Sequence, residues 1–141
     1  MPTVAPDGRQ LYVAKGMNQA NATQVVRIDL QTGKESEICA ARPSVWALSP
    51  DGTQIACAGF GDVIQILPTQ GGPARDLVKG NDFGAMTWTA DGQYLIYTIS
   101  TSSIGVGGSG FYWIIPAAGG TPRKLDIALG TVGFMKGMLY R

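Results

Sequence analysis

Histidine is absent from the sequence. That single gap removes Ser-His-acid and Cys-His nucleophile systems together with His-based metal centres. Only two cysteines are present, Cys39 and Cys57, both in strand-like apolar contexts. Two such scattered residues read as small buried hydrophobes, so the expectation is a pair of reduced core thiols and no zinc site. Charge of either sign is sparse: 11 Lys and Arg stand against 10 Asp and Glu, with no run of one sign. A nucleic-acid footprint is therefore not expected, nor is a basic membrane-surface patch. No apolar run approaches the ~18 residues of a spanning helix, so membrane insertion is not expected either. Met1-Pro2-Thr3-Val4-Ala5-Pro6 lacks the basic and apolar regions of a signal peptide, and a soluble chain is expected. No window carries a capped 3.6-residue period long enough for a helix, and 20 glycines and 8 prolines punctuate the chain throughout.

What the chain has in abundance is one turn. Ser49-Pro50-Asp51-Gly52 recurs as Pro6-Asp7-Gly8 and Ala90-Asp91-Gly92, so the unit returns every 40 to 44 residues. Proline presets φ, aspartate can accept from the backbone ahead of it, and glycine takes the φ > 0 position. Three residues beyond each glycine stands Leu11, Ile55 or Leu95. A second turn aligns Leu30-Gln31-Thr32-Gly33-Lys34 with Gln70-Gly71-Gly72-Pro73 and Ala118-Gly119-Gly120-Thr121, and each reads as another hairpin. Before it come Val25-Val26-Arg27-Ile28, Val63-Ile64-Gln65-Ile66-Leu67 and Phe111-Tyr112-Trp113-Ile114-Ile115, rich in the β-branched and aromatic residues that suit strands. After it comes a mostly polar segment with one apolar residue, Ile38, Leu77 or Leu125, the pattern of an exposed edge strand.

Each unit thus carries four strands, and the expected fold class is all-β. Ser44 to Leu48 and Ala85 to Thr89 are first strands, with Pro2 to Ala5 a clipped version. Pro2, Trp46 and Met86 share one register, and Val4, Leu48 and Trp88 another two residues on, so both sets are expected to be buried on one face. Four-stranded units of this length are β-propeller blades. The blades are expected at about 1–39, 40–79 and 80–128, with 129–141 as the first strand of a fourth. Three blades and a strand do not close a ring, which takes roughly four to eight blades. Either the chain is a piece of a longer protein, or copies assemble.

The turn Ser49-Pro50-Asp51-Gly52 after an aromatic-bearing strand, followed by Ile55, together with Leu30-Gln31-Thr32-Gly33-Lys34 in the neighbouring unit, resembles the WD-repeat-like propeller repeats of TolB-type proteins. The resemblance covers residues 1 to about 130. It departs from the pattern at Ala90, which replaces proline, and at Gly71-Gly72 and Gly119-Gly120. It implies a bacterial, non-catalytic module for protein–protein interaction in the periplasm or the cytoplasm. The alternative it carries is a fragment of the propeller domain of a larger enzyme, a peptidase or a carbohydrate-active one, whose catalytic residues lie outside this chain.

For chemistry within the chain, no catalytic, cofactor-binding or metal-binding residue is nominated. Asp7, Asp51 and Asp91 belong to turns by position, and the other acids are scattered. Gly105-Val106-Gly107-Gly108-Ser109-Gly110 formally matches a dinucleotide fingerprint, yet a strand ending in Pro116 follows where a helix N-terminus is needed. Asn21-Ala22-Thr23 is a glycosylation sequon only in a secreted eukaryotic chain. Trp46, Trp88 and Trp113 read as inter-blade core. Second and third strands are joined at Lys15 to Gln24, Gly59 to Asp62 and Ser100 to Gly110, on the face opposite the tight turns, and the first and third of these loops carry extra residues. Those loops mark the candidate partner face, against the alternative of neutral insertions. Phe134, Met135, Met138 and Leu139 form a candidate assembly strand, and two copies would make a homodimer completing a six-bladed ring.

Overall fold

A computed structural model describes residues 2–16, 23–41, 45–58, 62–100 and 110–128. The described residues form three four-stranded antiparallel sheets and no helix. Blade 1 holds β1 (Thr3–Val4), β2 (Gln10–Gly16), β3 (Thr23–Asp29) and β4 (Glu35–Ala41), in that spatial order. Blade 2 holds β5 (Trp46–Leu48), β6 (Gln54–Ala58), β7 (Val63–Pro68) and β8 (Arg75–Lys79). Blade 3 holds β9 (Phe83–Trp88), β10 (Tyr94–Ser100), β11 (Gly110–Pro116) and β12 (Arg123–Ala128). The expected all-β partial propeller of three four-stranded antiparallel blades is the fold observed. The segment 129–141 lies outside the described residues.

The first turn of each unit is built as its residues dictate. The amides of Gly8, Gly52 and Gly92 donate to Ala5, Ser49 and Thr89 carbonyls at 2.9, 2.9 and 2.8 Å. Asp7, Asp51 and Asp91 each accept, on one carboxylate oxygen, the amide two residues ahead, from Arg9, Thr53 and Gln93. The turns also touch each other. A Cβ on Gly52 would stand 2.9 Å from the Pro6 ring, and one on Gly92 3.8 Å from the Pro50 ring. Each proline therefore seats on the glycine of the next blade's turn.

Registers of the three blades superpose. The amides of Leu30, Thr69 and Ala117 donate to Arg9, Thr53 and Gln93, which makes these three positions equivalent. Every third-to-fourth strand pair slips at one place, at Val25/Val26, Ile64/Gln65 and Phe111/Trp113. Ile38 and Leu77 are the unpaired residues of these bulges, and Leu125 lies inside the third. A bulge bends the outer strand and re-aims a side chain, so a mostly exposed strand still places one apolar residue inward while its edge is blunted.

The core lies between the blades. Ala5, Tyr12 and Val25 of blade 1 pack against Ile55 and Cys57 of blade 2, with Trp46, Leu48 and Leu67 at the margin. Ala56, Ala58, Ile64 and Ile66 on the other face of blade 2 meet Trp88, Leu95, Tyr97 and Ile115 of blade 3. A small third cluster, Ile96 and Tyr112 with half-buried Ile114 and Leu125, sits on the far face of blade 3. Alternation along each strand gives every middle blade two apolar faces, which is why β6 reads Ile-Ala-Cys-Ala with all four residues buried.

Two expectations need correction. Trp88 is buried at 8 % exposure and Leu48, Trp46 and Met86 are half-buried, but Val4 is 55 % exposed and Pro2 is exposed. First-strand residues are buried by the preceding blade, and no blade stands before blade 1 among the described residues. Cys39 and Cys57 are not reduced thiols: they form a disulfide with Cα atoms 6.9 Å apart. It joins β4 of blade 1 to β6 of blade 2. Strand patterning within one sheet says nothing of a contact made between sheets, and hence the pairing was invisible in sequence.

Candidate functional site

The loop face nominated from sequence lies largely outside the described residues, namely 17–22, 59–61 and 101–109. Its flanks are regular strand: Gly16 pairs with Thr23 and Ser100 with Gly110, so those insertions are shorter than the sequence boundaries implied. Lys15 and Glu35 form a 3.0 Å ion pair there, each about half exposed, a pair worth little in high dielectric. Asp62 takes φ 54° and its carbonyl accepts the Gly80 amide at 2.9 Å. Phe134, Met135, Met138 and Leu139 lie outside the described residues, as does the glycine-rich segment up to its last residue.

Carboxylates in this protein brace turns. Asp51 accepts from the Thr53 amide at 3.0 Å and from the Ser49 and Thr53 hydroxyls at 2.7 and 2.8 Å. Donation from the Thr53 amide first, then from those hydroxyls, holds its carboxyl below the usual range. Asp91 is lowered by the Thr89 hydroxyl and then the Gln93 amide. Asp29 braces the second turn of blade 1, lowered by the Thr32 and Gln31 amides. The phenol of Tyr97 is pushed up to about 12 by burial, where its ring meets Phe83 edge-on at 5.7 Å. Among the described residues no three His, Cys, Asp or Glu side chains stand close enough to hold a metal ion.

Recognition chemistry gathers instead at the blade junctions. The Trp88 indole N–H donates 2.9 Å to the Ala47 carbonyl of blade 2. Arg27 of β3 donates to the Thr69 carbonyl of blade 2, and Arg75 of β8 donates 2.6 Å to the Ala117 carbonyl of blade 3. Thr69 and Ala117 are equivalent residues, so both junctions close on the same carbonyl. The donors come from facing strands, because Arg27 pairs with Ser36 whereas Arg75 pairs with Ile66, the position equivalent to Arg27. Beside the second clasp a groove of about 480 Å³ opens on the tight-turn face, lined by Gln54, Arg75, Gln93, Tyr94, Pro116 and Ala117 among others. Tyr94 is 40 % exposed at its rim. Amides, a guanidinium and a phenol ring can bind and orient a ligand, but they include no base paired with a nucleophile. The sequence places its candidate partner face opposite the tight turns, and Arg27 and Arg75, on different strands, carry no repeat signal that would mark this one.

With three blades, their shared turns and their junctions in place, the solved structures that this chain is similar to decide the fold. TolB from Acinetobacter baumannii superposes with a TM-score of 0.63 at 20% identity, over 89% of this chain and 31% of TolB. The chain folds as a partial β-propeller similar to part of TolB. The β-propeller domain of the Trilobed protease from Pyrococcus furiosus matches this arc at TM-score 0.64 and 17% identity, over 91% of the chain and 43% of that domain. An acylaminoacyl peptidase from Pyrococcus horikoshii gives 0.64 at 16%, over 85% and 23%. The chain spans less than half the length of each. No protein-family model and no curated protein sequence matches the chain.

Proposed function

We propose that this TolB-type arc is a non-catalytic module that binds protein, and that its first partner is a second copy of itself. The observation that carries this reading is the leading face of blade 1. Val4 is 55 % exposed and Leu30 50 % exposed, and Leu11 is half-buried where its equivalents Ile55 and Leu95 are fully buried. An apolar blade face of this kind is an interaction surface. Two arcs of three blades make six, within the range that closes a ring. Phe134, Met135, Met138 and Leu139 are assigned to the assembly strand on sequence alone.

The Cys39–Cys57 bond supports an oxidising compartment, since such bonds persist outside the reducing cytosol; of the two locations that the resemblance implies, the periplasm fits. No helix among the described residues is long and apolar enough to cross a membrane. Light scattering across a dilution series tests the reading: a stable two-chain mass that is lost on deleting residues 131 to 141 is expected, and a one-chain mass at every concentration refutes it.

A second reading has its own support. Two of the similar structures are the β-propeller domain of a protease and an acylaminoacyl peptidase, each longer than this chain. On that reading the arc is part of an enzyme's propeller domain, with its chemistry elsewhere. Sequencing the reading frame on both sides of this stretch separates the two, since a continuous frame into further repeats or a catalytic domain favours the enzyme.

A further inference from the structure

The two junctions inside the chain share a grammar, and both halves of a third copy of it stand unused at opposite ends of the arc. Each junction has a guanidinium of one blade donating to the carbonyl of residue 69 or 117 in the next. The equivalent carbonyl in blade 1 is that of Leu30, fixed by the shared amide bond to the residue after the turn glycine. Among the described residues nothing donates to it. The equivalent of Arg75 in blade 3 is Arg123, since Arg75 pairs with Ile66 and Arg123 with Ile114. Arg123 is exposed, and its side chain makes no hydrogen bond or ion pair among the described residues.

Two further elements repeat the correspondence. The prolines of turns 1 and 2 seat on Gly52 and Gly92, but a Cβ at Gly8 would meet nothing within 4 Å, so the seat on blade 1 is bare. The residue in register to occupy it is Ala90, the one turn that lacks proline. At the apolar level, blade 1 offers exposed Val4 in the register of Leu48 and Trp88. Blade 3 carries half-buried Ile114, the position at which Ile66 packs on the next blade.

We propose that a second copy of this chain docks its blade 1 on blade 3 of the first, with Arg123 of each copy donating to the Leu30 carbonyl of the other. The proposal rests on the six-bladed ring reading above and supplies its junction. The contact is head-to-tail, and a two-fold axis repeats it so that the ring closes with both clasps made. Charge assistance and a geometry already used twice in each chain favour this pairing over a register slip of one residue, which would turn the carbonyl away.

Mixing two variants tests it, one carrying Leu30→Cys and the other Arg123→Cys, with a short bifunctional thiol cross-linker spanning the reach of an arginine. Both positions are exposed and the native cysteines are already bonded to each other. A covalent two-chain product is expected from the mixture and not from either variant alone. In parallel, Arg123→Ala removes both clasps of the ring and should raise the dimer dissociation constant by about a hundred- to ten-thousandfold, the worth of two charge-assisted hydrogen bonds. A two-chain mass without the 30-to-123 cross-link overturns the junction and leaves the ring reading standing. A one-chain mass at every concentration overturns both, and masses that grow beyond two chains overturn ring closure.

Discussion

Replacing Trp88 by alanine removes an indole that spans the junction of blades 2 and 3. Its ring is 8 % exposed and packs in the cluster of Val45, Ala56, Leu95 and Tyr97. Its N–H holds the Ala47 carbonyl at 2.9 Å. Emptying a buried aromatic site costs about 3–5 kcal/mol. In a chain of this size each kcal/mol lowers the melting temperature by about 2–4 °C, which gives a fall of about 6–20 °C. Against a typical total stability of about 5–15 kcal/mol, that is a large share. Trp88→Phe separates the two contributions, because it keeps most of the ring volume and leaves the carbonyl unpaired, at about 1–3 kcal/mol. Urea denaturation followed by circular dichroism reads both variants, the midpoint shifts giving the losses when the slope is unchanged. A Trp88→Ala midpoint equal to the parent's would refute the interlock. Equal losses from alanine and phenylalanine would refute its division into volume and hydrogen bond.

Removing the inter-blade disulfide with Cys39→Ser and Cys57→Ser should cost about 2–4 kcal/mol, and reductant should lower the parent's melting temperature but not the double variant's; a parent indifferent to reductant contradicts the bond. Asp51, Asp91 and Asp29 have folded-state values below 3.8, so their contribution is present above that value and lost as pH falls through the folded one. Melts between about pH 2 and 6 should show stability declining below about pH 4, with a shallower decline in Asp51→Asn and Asp91→Asn; an unchanged slope refutes the bracing. Gly8→Ala carries only the strain of φ +72°, whereas Gly52→Ala adds a Cβ 2.9 Å from the Pro6 ring to φ +76°. Backbone strain of this kind costs about 1–2 kcal/mol, so Gly52→Ala should exceed Gly8→Ala in a matched urea series, and equal losses would show that the proline does not seat on the turn.

The sequence alone determined the elements within each blade. Turn position, strand order and the apolar residue of each outer strand depend on φ preferences and on alternation with period two, and both are local properties written in consecutive residues. Trp88 could be placed in the core because register within a repeat is set by counting from the turn glycine. The relation of one blade to the next belongs to the tertiary structure. Val4 shares the register of Trp88, yet it is exposed because burial comes from a neighbouring sheet, and none stands before blade 1 among the described residues. Cys39 and Cys57 meet across the gap between sheets, and no periodicity reports on that distance. Arg27 and Arg75 looked unrelated because they sit on different strands, β3 and β8. Cross-strand pairing brings the two guanidinium groups to one place on the blade surface, and only three-dimensional register makes them the same clasp.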